Sequence, residues 1–268
     1  MLDTVSGVRP KISLFIQARM SSTRLPGKVL LPLGEKPLIQ HSIERLSLVQ
    51  RANHTALLIP NGPNDDILAN YATDHLQVDL FRDSEEDVLS RFYHAAQAFH
   101  SNIIVRITAD CPFIDAKLVD AAIDLFLSIK NCSYASIKNF PRGFDVEVFS
   151  FEALKEAFEK AEDPAEREHV TLYIYRHPEI FPLAFLRCPY DLSSLRLTVD
   201  EPDDLLTVRT IYEKVKEKPT FGFKEIFDLS IKQPELFLFN SHVKQKPVFL
   251  SEMAQEGIKK APHVVYRL

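Results

Sequence analysis

A chain of 268 residues, with 46% hydrophobic and 26% charged residues, has the composition of an ordinary globular protein. This composition excludes a disordered chain and a fibrous repeat, and the length suits one large α/β domain, with or without a small appendage. The formal net charge of −5 argues against a general nucleic-acid-binding protein, because such proteins present a basic surface to phosphates.

Two further features concern the cellular setting. Cys111, Cys132 and Cys188 are odd in number and widely spaced, which fits neither a disulfide framework nor a C-x-x-C zinc site. The early apolar run at residues 14–16 is too short to cross a bilayer or to form a signal peptide. We therefore expect a cytoplasmic protein with no membrane partner.

The first half of the chain alternates short apolar strands with amphipathic helices. Strands are predicted at residues 11–16, 55–60, 78–81 and 103–107. Helices are predicted from Pro37, from a cap at Asn64, from a cap at Ser84, and from about Asp115 to Ser128. This alternation indicates a mainly parallel sheet covered on both faces, in which ligands bind beyond the carboxyl ends of the strands.

Beyond residue 130 the pattern changes. Strands at 134–137 and 146–149 and helices at 151–161 and 164–176 indicate a small α+β insertion. Residues 195–199 predict a return to the main sheet, and Pro202 begins a helix that reaches about Lys216. No clear periodicity follows Asn240, so we predict a domain of residues 1–240 and a C-terminal extension of residues 241–268, a candidate subunit contact.

A polar loop at residues 17–28 follows the first predicted strand and contains three cations, three hydroxyl groups and a glycine. Backbone N–H groups, hydroxyl groups and Arg or Lys side chains can together hold a polyphosphate. The loop is neither a Walker A loop nor G-x-G-x-x-G, so a solvated basic surface loop remains the alternative. Arg19 and Lys28 are expected to be exposed in either case.

Two aspartates are candidate ligands for a magnesium ion, which binds oxygen atoms and is often held by one or two carboxylates plus substrate phosphates. Asp110 follows the strand at 103–107, and Asp200 follows the strand predicted at 195–199. We expect them to converge, with their repulsion relieved by water or by a cation such as Lys28. Neutralising either aspartate is then expected to spare the fold. The alternative role of Asp200 is to cap the helix that begins at Pro202.

Four motifs in this order resemble the cytidylyltransferase family: FIQARMSSTRLPGK at 15–28, RITADCP at 106–112, REHVT at 167–171 and VDEPDDL at 199–205. HVKQK at 242–246 also resembles a family segment. The chain resembles spore-coat polysaccharide biosynthesis protein F more closely than it resembles 3-deoxy-manno-octulosonate and acylneuraminate cytidylyltransferases.

The resemblance implies a three-layer nucleotide-diphospho-sugar transferase fold and a homodimer. The implied reaction is CTP plus sugar giving a CMP-sugar and pyrophosphate, with Mg²⁺, in surface or spore polysaccharide biosynthesis. The implied catalytic residues are Arg19, Lys28, Asp110 and Asp200, of which the two aspartates bind the metal. The implied nucleotide-binding residues are Ala18, Arg19, Ser21, Ser22, Arg24, Lys28 and Thr108, and the implied sugar-binding residues are Arg142, Asp145, Glu147, Arg167 and His169.

Other interpretations remain open. A glycosyltransferase or a transferase that uses another nucleotide would fit the same class of sheet. A non-catalytic nucleotide-binding module is the third interpretation, although the set Arg19, Lys28, Asp110 and Asp200 argues against it. Arg167 could also lie on an exposed helix face, and His169 could be structural.

Overall fold

Short runs of Ile, Leu, Val and Phe form the centre of an eight-stranded sheet. The structure is a computed structural model and describes residues 9–218, 220–244 and 250–267. The strands are β1 (Ile12–Gln17), β2 (Pro32–Leu33), β3 (Lys36–Pro37), β4 (His54–Pro60), β5 (Asp79–Asp83), β6 (Ile103–Thr108), β7 (Tyr134–Lys138), β8 (Glu147–Ser150), β9 (Leu183–Arg187) and β10 (His263–Val265). Their order is β10-β9-β7-β8-β6-β1-β4-β5, with β2 and β3 forming a separate antiparallel pair.

The sheet is mostly parallel, as predicted. Strand β8 is antiparallel to its neighbours β6 and β7, and the other pairings within the eight-stranded sheet are parallel. The predicted α+β insertion thus contributes β7 and β8 to the main sheet. The strands β1 and β6 lie side by side, with Gln17 paired to Thr108, so the loops that follow them share one edge of the sheet.

Helices cover both faces of the sheet, which confirms the three-layer prediction. They are α1 (Leu38–Leu46), α2 (Asp66–His75), α3 (Val88–Ala98), α4 (Ala116–Ser128), α5 (Phe151–Lys160), α6 (Pro164–Glu168), α7 (Leu172–Arg176), α8 (Pro202–Val215), α9 (Phe223–Lys232) and α10 (Glu252–Lys260). Leu14 and Ile16 belong to a hydrophobic core that also contains residues of α1, α2, α4, α8 and α9, whereas Phe15 belongs to a second core with residues of α3, α5 and α7. Alternate residues of a strand point to opposite faces, so one strand supplies both cores.

Two predicted helix caps are wrong. The N-cap of α3 is Asp87, whose carboxylate accepts a hydrogen bond from the backbone N–H of Ser90 (2.8 Å), and not Ser84. Residues 63–65, including Asn64, form a 3₁₀ turn, and α2 begins only at Asp66. Both caps lie within a few residues of the predicted positions, because acidic and polar residues are close neighbours in these loops.

The predicted strand at residues 195–199 does not form. The segment makes one isolated bridge, between Arg142 and Arg196, and hydrogen bonds to neighbouring loops. Gly143 permits this close approach: its φ is 103°, and a Cβ atom there would lie 2.6 Å from the carbonyl carbon of Leu197. Only glycine fits such a position.

The predicted helix at 164–176 is two short helices, α6 and α7. The break lies at Val170, which has a φ of 54°, an unfavourable value for a β-branched residue. This interruption directs the segment 168–171 toward the carboxyl edge of the sheet, where three of its residues line a cavity.

The C-terminal extension is more regular than its sequence suggests. It contains α10 and β10, and β10 pairs in parallel with β9 at the edge of the main sheet. Residues 245–249, which include the end of the segment 242–246, lie outside the described residues. Within the described residues, no helix is long and apolar enough to cross a membrane.

Candidate active site

The loops after β1 and β6 open onto a cavity of about 500 Å³. Twelve of the predicted site residues line it: Ala18, Arg19, Ser22, Arg24, Lys28, Thr108, Asp110, Arg142, Asp145, Glu147, His169 and Asp200. A larger groove of about 1110 Å³ lies among α1, α4, α8 and α9, but none of its lining residues belongs to the four sequence motifs. We therefore place the candidate site in the smaller cavity.

Two predicted residues lie outside this cavity. The Ser21 hydroxyl donates a hydrogen bond to Glu85, which turns it away from the cavity. Arg167 donates to the carboxylate of Asp87 and to the carbonyl of Phe158 (Nη1–O 2.7 Å), and so joins α6 to α3 and α5. Neither the nucleotide-binding role predicted for Ser21 nor the sugar-binding role predicted for Arg167 is supported by this placement.

The polar loop after β1 is held in a defined shape by backbone hydrogen bonds. Ala18 donates to the carbonyl of Leu58 (3.1 Å), and Met20 donates to the buried carboxylate of Asp65 (2.8 Å). Gly27, with a φ of 67°, donates to the carbonyl of Met20 (3.0 Å) and closes the loop. The side chain of Arg19 is exposed, as the sequence predicts.

Lys28 is buried, which corrects the prediction that it is exposed. Its side chain is 10% exposed, and its ammonium group contacts Asp110 Oδ2 (2.6 Å) and Asp200 Oδ1 (2.7 Å). Burial lowers the pKa of Lys28, but the two carboxylates outweigh burial and raise the pKa above its ordinary value. The expected convergence of the two aspartates, with a cation between them, is thereby confirmed.

Asp200 is surrounded by three cations. Besides Lys28, its carboxylate contacts Arg24 (3.1 Å) and Arg196 (2.9 Å). Burial alone would raise the pKa of Asp200, yet these cations, with Lys28 the strongest, lower it to about 2. The carboxylate is therefore ionised at any physiological pH. The N-cap of α8 is Glu201, so capping is not the role of Asp200.

A buried network behind Asp200 fixes its orientation. The fully buried carboxylate of Asp204 accepts hydrogen bonds from Arg196 Nε (2.9 Å) and from the backbone N–H of Asp200 (2.9 Å). Asn240 Nδ2 donates to the same carboxylate (2.8 Å) and to the carbonyl of Arg196 (2.9 Å). No sequence pattern predicted this network, because Arg196 lies in a segment with the apolar character of a plain strand.

A backbone hydrogen bond brings Asp110 and Asp200 together, although residues 195–199 form no strand. The N–H of Val199 donates to the carbonyl of Asp110 (2.9 Å), which ties the segment before Asp200 to the loop after β6. Cys111, next to Asp110, is buried, and burial together with the charge of Asp110 raises the pKa of its thiol well above the ordinary value. The thiol is therefore neutral and packed, with no role as a nucleophile.

Glu147 organises the wall formed by β6, β8 and the segment 168–171. Its carboxylate accepts hydrogen bonds from Arg106, from the Tyr134 hydroxyl (2.8 Å) and from the Thr171 hydroxyl (2.5 Å). Arg106 also donates to Gln17 Oε1 (2.8 Å). This wall is polar and preorganised, but most of the hydrogen-bonding capacity of Glu147 is already used within the protein.

The residues present fit a magnesium ion that also binds substrate. Within the described residues, no group of three or more His, Cys, Asp or Glu side chains is arranged to hold a metal. Asp110 and Asp200 nevertheless bring two carboxylate oxygens onto one ammonium group, which shows that a cation can occupy the space between them. Two carboxylates with further ligands from phosphate and water are a usual environment for Mg²⁺.

Comparison with known proteins identifies the family. A sequence profile described as cytidylyltransferase matches residues 14–255, which is most of the chain. The chain belongs to the cytidylyltransferase family. Spore coat polysaccharide biosynthesis protein SpsF of Bacillus subtilis is 34% identical to this cytidylyltransferase over 231 residues, which cover 84% of this chain and 95% of SpsF. The family predicted from the four motifs is thus confirmed.

Solved structures agree with this assignment. A cytidylyltransferase from Leptospira borgpetersenii superimposes with a TM-score of 0.81 at 30% identity, covering 90% of this chain and all of the other. CMP:2-keto-3-deoxy-manno-octonic acid synthetase complexed with CTP superimposes with a TM-score of 0.59 at 17% identity, covering 76% and 99% of the two chains. At that identity the similarity concerns the fold, which is the nucleotidyltransferase fold that the sequence predicts.

Proposed function

We propose that this cytidylyltransferase uses Mg²⁺ and CTP to activate a sugar, forming a CMP-sugar and pyrophosphate for polysaccharide biosynthesis. The observation that carries the proposal is the contact of Lys28 with Asp110 and Asp200 on the floor of the cavity. Family membership supports the choice of CTP. The name of the relative SpsF supports polysaccharide biosynthesis.

The chemistry needs positioning and charge neutralisation, with no covalent intermediate on the protein. A sugar hydroxyl oxygen bonds to the α-phosphorus, the bond from that phosphorus to the oxygen bridging to the β-phosphate breaks, and pyrophosphate leaves. The hydroxyl proton passes to solvent water in the same process. Asp110 and Asp200 would hold Mg²⁺, which would supply neutralisation of the charge on the phosphate oxygens.

The chain's own residues divide between the two substrates. Arg19, exposed on its loop, and Lys28, on the floor, supply positive charge beside the phosphates. Ala18 and Thr108, at the ends of β1 and β6, lie where the base would be held. Arg142, Asp145 and His169 line the part of the cavity formed by the inserted region, where the sugar would bind.

The test is a direct comparison of nucleotides. Isothermal titration calorimetry with CTP, ATP, GTP and UTP, each with Mg²⁺ and with EDTA, should show tightest binding for CTP with Mg²⁺. Pyrophosphate release from CTP is then measured against a panel of 2-keto sugar acids and neutral sugars. Equal affinity for all four nucleotides would remove the CTP assignment.

The same experiment separates the alternatives. A glycosyltransferase would bind a nucleotide-sugar and would release a nucleotide without pyrophosphate. A binding module would bind CTP and would release no pyrophosphate with any sugar.

Size-exclusion chromatography with light scattering tests the homodimer, and subcellular fractionation tests the cytoplasmic location.

A further inference from the structure

Arg91 is a buried arginine on the wall of the active-site cavity. It lies in the first turns of α3, three residues after Val88, and its side chain is 2% exposed. Val88, Leu89 and Phe92 around it are buried hydrophobic residues, so Arg91 lies on the core-facing side of the helix. An arginine in the apolar stripe of an otherwise regular helix is the sequence signal that could have drawn attention to it.

The guanidinium group of Arg91 has few partners for a buried charge. Its Nη1 donates to the carbonyl of Ser84 (2.8 Å), but its buried Nε has no hydrogen-bond partner within the described residues. No carboxylate in the described part of the chain forms an ion pair with it. Burying such a charge costs free energy unless an anion compensates it.

Arg19 adds a second positive charge at the same cavity. Burial lowers the pKa of Arg91 to about 10, and the next largest cause is repulsion by Arg19. Asp65, Asp83 and Glu85 act in the opposite direction at longer range, without reversing the shift. A ligand with negative charges between the two arginines would relieve both the desolvation and the repulsion.

Three other cations of the cavity already contact carboxylates. Lys28 contacts Asp110 and Asp200, Arg24 contacts Asp200 and Glu201, and Arg106 contacts Gln17 and Glu147. Arg142 comes from the connection between β7 and β8, on the side assigned to the sugar. Arg19 and Arg91 are therefore the arginines on the nucleotide side that have no carboxylate partner in the described residues.

We propose that Arg91, together with Arg19, binds the pyrophosphate part of the nucleoside triphosphate and the pyrophosphate released from it. This inference rests on the proposed function and adds a ligand subsite to it. The planar guanidinium group suits this role, because its donors form a fork that matches two phosphate oxygens. The ligand class is a diphosphate or triphosphate, and a single phosphate ester would gain little from the subsite.

The experiment compares inorganic pyrophosphate, CTP and CMP as calorimetric ligands of Arg91→Met. Methionine preserves much of the side-chain volume and removes the charge. We expect pyrophosphate and CTP to bind roughly ten- to a hundredfold more weakly, and CMP to bind within about twofold of wild type. In a double-mutant cycle with Arg19→Met, the losses of pyrophosphate-binding free energy should be less than additive, because the two side chains bind the same anion.

Arg45→Met is the matched control. Arg45 is also buried, and burial lowers its pKa to about 10, but it donates to the carbonyls of Ile114 and Phe221 outside the active-site cavity. This variant should bind all three ligands as wild type does. If Arg91→Met does not fold, Arg91→Lys replaces it and should show a smaller loss of pyrophosphate affinity with unchanged CMP affinity.

The outcomes separate this inference from the proposed function. Wild-type affinity of the folded Arg91 variant for pyrophosphate and CTP would overturn the subsite while leaving the cytidylyltransferase proposal intact. Equal losses for CMP and CTP would also overturn it, because the effect would then be structural. A wild-type protein that binds neither CTP nor pyrophosphate would overturn the proposed function itself.

Discussion

Asp200→Asn should destabilise the protein, contrary to the expectation that neutralising this aspartate spares the fold. The variant removes a charge that contacts three cations while preserving the shape of the side chain. The cations lower the pKa of Asp200 from an ordinary value of 3.8 to about 2. At about 1.4 kcal/mol per pKa unit, the carboxylate contributes roughly 2 kcal/mol to the free energy of unfolding at neutral pH.

The loss of stability in Asp200→Asn is limited, because the cations around Asp200 keep other carboxylate partners. Lys28 remains bound to Asp110, and Arg196 remains bound to Asp204. No cation is left buried and unpaired, so the loss should not reach the 3–5 kcal/mol or so that accompanies a broken buried ion pair. For a domain of this size, about 2 kcal/mol corresponds to a decrease in Tm of roughly 4–8 °C.

The assay is urea unfolding followed by circular dichroism, with no added metal, for wild type and Asp200→Asn. The sign of the pH dependence is fixed, because the folded-state pKa is below the unfolded-state value. The contribution is complete well above pH 3.8 and disappears as the pH falls through about 2, so the difference should narrow below about pH 4. Asp124→Asn is the control: Asp124 forms an exposed pair with Arg51 and should contribute less than about 1 kcal/mol.

Equal stability of wild type and Asp200→Asn at pH 7 would refute this reasoning. So would a difference that stays constant between pH 7 and pH 3. In either case the three contacts would be energetically neutral, and the role of Asp200 would be confined to ligand binding.

Three further variants test stability and binding. Lys28→Met should lower the free energy of unfolding by roughly 3 kcal/mol in urea titrations, because two carboxylates lose their shared cation. Added Mg²⁺ should raise the Tm of this variant more than that of wild type, and no such gain would argue against a metal between the aspartates. Gly143→Ala should cost more than about 1 kcal/mol by calorimetry, because its Cβ would meet the backbone of Leu197. Arg167→Ala should lower Tm and leave the calorimetric CTP affinity unchanged, since its guanidinium group binds Asp87 outside the cavity.

Local patterns were sufficient to predict the central sheet. The strands β1, β4 and β6 are short apolar runs that end in polar loops. Continuous apolar runs are typical of parallel strands, because helices cover both faces of a parallel sheet. The segment at 195–199 has the same apolar character but forms no ladder of strand hydrogen bonds, because the loop that contains Gly143 packs against it. Apolar character predicts burial, and only tertiary contacts decide whether a buried segment pairs as a strand.

The candidate site was predicted in outline, because parallel strands bring their carboxyl ends to one edge. Lys28 was expected in solvent, since a lysine in a polar loop usually is. Its burial depends on two carboxylates that are 82 and 172 residues away in sequence, and no local pattern reports such a contact. Val170 is a similar case, because a helical pattern continues through it and its positive φ is a property of the folded chain.

The last strand covers the outer edge of β9. Strand β10 pairs with β9 through only three residues, and Pro262 adds a carbonyl that accepts a hydrogen bond from the N–H of Phe185 (2.9 Å). A recombinant protein ended at residue 240 would leave the outer N–H and C=O groups of β9 open, next to buried apolar side chains. Such an edge can recruit a strand from another molecule, so we expect that shortened protein to aggregate and the full chain to be the better starting point for crystallisation.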